Sequence, residues 1–137
     1  IYSERTLPYA RLFAKAFDGE LLLMNVPAVP EVKEYRAAAD VVERIRKKAE
    51  ANIQKFLDAV ARSLRKDKIK VRTLVKGSRP TPMILEVSQE EKMDMIMLTS
   101  RGRGSLDLLL MGSVAEEVVN NTNLPVLMMP VPDRKKG

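Results

Sequence analysis

Between Met95 and Asn121 the sequence reads MIMLTSRGRGSLDLLLMGSVAEEVVNN, and this stretch holds the residues best suited to chemistry. An apolar run ends at Leu98, a loop carrying Arg101, Gly102, Arg103 and Gly104 follows, and Gly112-Ser113 open a helical pattern. Glycine lets backbone N–H groups approach a ligand closely, and a helix start concentrates unsatisfied N–H groups at the positive end of the dipole. Arginines in the same loop can neutralise phosphate oxygens. Together these features suit a phosphorylated small molecule. Ser113 and Glu116 also have the S-x-x-E spacing of a capping box. The same residues serve as turn and cap in helices that bind nothing, so on residue types alone both readings stand. Neither G-x-x-x-x-G-K-[ST] nor a complete G-x-G-x-x-G is present, which excludes those two phosphate-binding motifs.

Composition removes other chemistries. The chain has 137 residues with no Cys and no His, so disulfides, thiolate and imidazole catalysis and the usual zinc sites are excluded. Absence of Cys fits an intracellular, cytoplasmic protein. No apolar run approaches the ~18 residues of a membrane span, so no membrane is expected as a partner. The net charge of +6 raises the question of nucleic acid. Most of the basic residues from Arg44 to Lys68 fall along one helical pattern, interleaved with Glu43, Glu50 and Asp58, and Arg134-Lys135-Lys136 add to the excess. Glu43 with Lys47 and Asp58 with Arg62 have the i,i+4 spacing of a solvated face. No aromatic residues alternate with the charges, as a single-strand surface requires. A solvated face is therefore expected, and nucleic acid is not.

The elements that position the loop follow from periodicity. Ser3 to Phe17 reads as a helix with Ser3 as N-cap and Pro8 near the first turn, ended by Asp18-Gly19. Leu21-Leu22-Leu23-Met24 is apolar on both faces, as in a buried parallel strand that ends at Val26. Arg36 to Lys66 reads as one long helix, with Val41, Ile45, Ala49, Ile53, Leu57, Val60 and Leu64 as a core-facing stripe. Ile69 to Val75 alternates, which marks an edge strand with one wet face. A helix from Thr81 to Lys92, a strand from Met95 to Leu98 and a last strand from Val126 to Met129 complete the pattern. Strands alternating with helices imply parallel pairing through right-handed crossovers in a three-layer α/β sandwich. We expect one domain over residues 1–137. Since Ile1 stands first and a strand normally precedes the first helix, we also expect a first strand missing from this chain.

Gly102, then nine residues, then Gly112-Ser113-Val114-Ala115-Glu116 resembles the G-x2-G-x9-G-[ST] signature of the universal stress protein family. Ser3 to Ala10 is similar to the family's first helix, Leu21 to Val26 to its second strand, and Leu124-Pro125-Val126-Leu127 to its last. The resemblance implies a five-stranded parallel sheet of order 3-2-1-4-5 and an ATP site at the carboxyl ends of strands 1 and 4. It implies that Gly102, Gly112, Ser113 and Val114 meet the phosphates, and that Val26 and Leu98 lie near adenine and ribose. Arg103, beside Gly102, and Thr99 complete the nucleotide-binding set. Magnesium would accompany the ATP.

Thr99 stands where the signature has its first glycine, and the family's acidic residue at the end of strand 1 has no counterpart. Family members that do not bind ATP lack parts of this pattern, so the alternative expectation is a non-ATP member acting by dimerisation and protein partners. The resemblance also implies a homodimer through Val126–Met129, whose apolar edge lacks the polar alternation that would protect it. Asp107 is the only carboxylate in the loop, and hydrolysis needs a placed water and usually a metal held by acids. No residue is assigned to catalysis or to a metal, and any ATPase activity is expected to be slow.

Overall fold

The computed structural model describes residues 2–27, 36–77, 79–100 and 112–130. Among the described residues four α-helices and four strands run in the order α1 (Leu7–Phe17), β1 (Glu20–Asn25), α2 (Arg36–Lys66), β2 (Lys70–Val75), α3 (Pro80–Glu90), β3 (Ile96–Thr99), α4 (Ser113–Asn121) and β4 (Val126–Met129). The strands form two parallel pairs, β1 with β2 and β3 with β4. An order of 3-2-1-4-5 joins its second strand to its third and its fourth to its fifth, and these are the pairs found. No described strand links them. The chain divides into two compact units, one of residues 13–83 and one of residues 1–12 with 84–137.

In the unit of residues 13–83, β1 and β2 run in register from Glu20 opposite Lys70 to Asn25 opposite Val75. Between them in sequence lies α2, so this is a βαβ crossover. Ala14, Ala61, Leu64, Ile69 and Val71 form a buried cluster with Leu21, Leu23 and Val60 packed against it. Gln54 Nε2 donates to Asp58 Oδ1 at 2.8 Å and to Thr73 Oγ1 at 2.9 Å, and Arg65 Nη2 donates to the Val71 carbonyl at 2.7 Å, so polar contacts tie α2 to β2. Across the pair, Arg72 Nε donates to Glu20 Oε1. The expected Asp58–Arg62 pair is replaced by these contacts, because Asp58 faces β2 rather than solvent. Glu43 likewise pairs with Arg46, whose Nη2 lies 2.6 Å from Glu43 Oε1, and not with Lys47.

The expected core stripe of α2 is only half realised. Leu57 and Leu64 are buried, but Val41 is 54% and Ile45 52% exposed. A run of consecutive four-residue spacings precesses by about 40° per step, so Val41 stands ~160° around the helix from Leu57. Length acts in the same direction: 31 residues of helix extend about 46 Å, whereas a six-residue strand covers about 20 Å. The alternation of β2 holds at Lys70, Val71 and Arg72, which are exposed, buried and exposed.

Helix ends differ from expectation in a consistent way. A 3-10 turn over Tyr2–Thr6 precedes α1, so the α-helix starts at Leu7 and Ser3 is not its N-cap. Pro8 then falls in the first turn, where its missing N–H costs no hydrogen bond. At the other end Asp18 takes the left-handed conformation at φ 50°, and the Gly19 N–H donates to the Ala14 carbonyl at 2.9 Å. That is the Schellman closure.

Candidate functional site

The candidate site is built in the second unit, where β3 and β4 pair from Ile96 opposite Val126 to Thr99 opposite Met129. The Ile96 N–H donates to the Pro125 carbonyl at 3.0 Å and the Ser100 N–H to the Met129 carbonyl at 2.9 Å, so the pairing extends past both ends of β3. Leu98 and Thr99 are half-buried at the carboxyl end of that strand. Gly112 returns the chain to this point: its N–H donates to the Ser100 carbonyl. One backbone hydrogen bond thus fixes the start of α4 beside the end of β3.

Gly112 is the N-cap of α4, with φ −59° and ψ 151° and no side-chain cap hydrogen bond. Its carbonyl accepts the Glu116 N–H at 2.9 Å, the first hydrogen bond of the helix. Ser113 is therefore the first helical residue, and the expected capping box is absent. The box needs Ser113 one position earlier, at the N-cap, and Gly112 holds that position. The first-turn N–H groups of Ser113, Val114 and Ala115 have no carbonyl four residues back within the helix to receive them. Glycine at the cap supplies no side chain to fill that role. Ser113 is exposed, Val114 half-buried, and Ala115 and Val118 are buried and anchor the helix from its inner face.

Of the expected site residues, the structure brings together Leu98, Thr99, Gly112, Ser113 and Val114. Gly102 and Arg103, with Arg101 and Asp107, lie outside the described residues. Val26 directly follows β1 in the other unit, half-buried and next to the buried Pro27. Sequence reasoning missed Ser100, whose carbonyl and N–H join the helix start to the strand pair. Its position immediately after the apolar run was the available signal. A separate shallow cleft in the same unit is lined by Arg5, Pro8, Tyr9, Met129 and Pro130.

The universal stress protein family model matches residues 2–130. Universal stress protein MJ0531 of Methanocaldococcus jannaschii is 29% identical over 122 residues, covering 89% of this chain and 71% of its own. Among solved structures, universal stress protein UspA from Lactobacillus plantarum has a TM-score of 0.82 at 16% identity, over 92% of this chain and 88% of that one. A universal stress protein family protein from Arabidopsis thaliana, solved with AMP bound, has a TM-score of 0.63 at 16% identity, over 98% and 78%. These likenesses establish the three-layer α/β sandwich as the fold.

Proposed function

Because this chain belongs to the universal stress protein family, we propose that it is a cytoplasmic stress-response module that binds ATP with its magnesium and works as a homodimer. The observation that carries the nucleotide reading is the start of α4, bare of side-chain caps and hydrogen-bonded to the end of β3 through Gly112 and Ser100. Backbone N–H groups with no partner in the helix, at the positive end of its dipole, suit an anionic phosphate. The relative from Arabidopsis thaliana with AMP bound supports adenine nucleotide as the class.

In this reading the N–H groups of Ser113, Val114 and Ala115 receive phosphate oxygens, and the Ser113 hydroxyl adds a donor. Leu98 supplies apolar contact for adenine and ribose. Gly102 and Arg103 approach the phosphates from the loop, the arginine by charge. When bound, the magnesium screens the phosphate charge. In this reading the nucleotide phosphates would carry the ion. Among the described residues β4 pairs only with β3. The domain spans residues 1–137, and the homodimer forms through that outer edge of Val126–Met129.

The alternative, a non-ATP member acting through dimerisation and protein partners, is favoured by Thr99. Its side chain stands half-buried at the end of β3, where the family motif has glycine. Titration calorimetry with ATP and ADP tests the choice. Saturable binding that strengthens in Thr99→Gly supports nucleotide recognition at this loop. No binding by either protein, with the fold intact by circular dichroism, supports the alternative.

A further inference from the structure

The long helix α2 carries a second face, directed away from the core, on which its exposed hydrophobic residues gather. At about 100° per residue, Val41, Ile45, Asn52, Phe56, Ala59 and Ser63 fall within ~60° of one another. All six are exposed, including 44% of Phe56. Val41, Ile45, Phe56 and Ala59 are apolar, and the two polar members, Asn52 and Ser63, are short and uncharged. Arg44, Lys48, Lys55, Arg62 and Lys66 border this face along one side and are also exposed. The acidic residues of the helix lie elsewhere. Glu43 and Glu50 are engaged by Arg46, Asp58 is turned toward Gln54 and Thr73, and Asp40 is about 100° from Val41. The result is an uncharged, largely apolar stripe with a basic margin along most of the helix, more ordered than a solvated surface requires.

We propose that this face docks an acidic amphipathic helix of a partner protein. Charge complementarity selects the occupant, since a second copy of α2 offers no acidic residue on this face to meet the basic margin. The short side chains of Asn52, Ala59 and Ser63 on either side of Phe56 leave room for the ridge of an incoming helix. A bilayer would instead call for a continuous bulky apolar face, which Asn52 and Ser63 interrupt. Phe56 and Ile45 act as the anchors, and the basic margin sets orientation and speeds association. The proposal concerns only the unit of residues 13–83 and is independent of nucleotide binding.

The test uses the whole chain and three helical peptides. One carries leucines at i, i+3, i+4 and i+7 with glutamate flanks, the second has lysine flanks, and the third is a scramble of the first. The acidic peptide is expected to bind saturably near 10–100 µM, weakening about tenfold from low to high salt. Amide shifts in a nitrogen-labelled spectrum should map to residues 41–66. Phe56→Ala should weaken binding at least about fivefold. Arg44→Glu with Lys48→Glu and Lys55→Glu should abolish it and create affinity for the basic peptide, at an unchanged circular dichroism spectrum. The proposal is overturned by absence of saturable binding, by equal affinity for the three peptides, or by shifts away from α2. It is equally overturned if phosphatidylglycerol vesicles or duplex DNA bind more tightly and lose binding through the same three substitutions.

Discussion

Three helices close on residues in the left-handed region that are not glycine: Asp18 at φ 50°, Lys68 at φ 63° and Lys92 at φ 50°. Each is followed by an N–H that reaches back to the last turn: Gly19 to Ala14, Ile69 to Leu64 and Met93 to Ser88. A side chain in that conformation is strained by roughly 1–2 kcal/mol relative to glycine. Lys68→Gly and Lys92→Gly should each stabilise the protein by about 0.5–1 kcal/mol in urea denaturation, the remainder being offset by the greater freedom of the unfolded chain. Charge acts at the same scale. The Glu43 carboxyl is held below its ordinary 4.5 mainly by its hydrogen bond from Arg46. A carboxyl lowered by folding stabilises above its unfolded value and loses that contribution as pH falls through the folded one. Arg46→Met should raise the Glu43 midpoint toward 4.5 in a carbon-detected titration.

At the scale of the element, α2 separates what periodicity shows from what it hides. Leu64 is 2% exposed in the cluster with Ala61, Ile69 and Val71, while Ile45 is 52% exposed. Leu64→Ala should therefore cost about 2–5 kcal/mol in chemical denaturation. Ile45→Ala should stay within ~0.5 kcal/mol. The sequence marked Leu57, Val60 and Leu64 correctly because two spacings of three and four bring them to one side. It misplaced Val41 and Ile45 because repeated spacings of four spiral around the helix and because the strands end before the helix does. The strands were legible for a simpler reason: apolar runs bounded by Gly and Pro have few other ways to satisfy their backbones. The start of α4 was legible in place but not in detail. Ser113 and Glu116 spell a capping box, yet the first helical hydrogen bond forms at Gly112, one residue earlier, and no side-chain pattern records that choice.

At the scale of the whole molecule, the two βαβ units each present parallel strands joined through a helix, α2 between β1 and β2 and α4 between β3 and β4. A parallel edge without further pairing invites another strand. If the outer edge of β4 forms the dimer, Leu127→Lys should shift the protein from dimer to monomer in sedimentation velocity while its helical content is retained. A monomeric parent chain would remove that assembly from the account. No helix among the described residues is long and apolar enough to cross a membrane. The central claim is that the uncapped start of α4 receives the phosphates of an adenine nucleotide. Titrating ATP with magnesium into nitrogen-labelled protein measures it directly. The account predicts saturable shifts at the Ser113, Val114 and Ala115 amides, with smaller ones at Leu98 and Thr99. Unmoved amides at these positions under saturating ATP, or shifts confined to the basic face of α2, would contradict it.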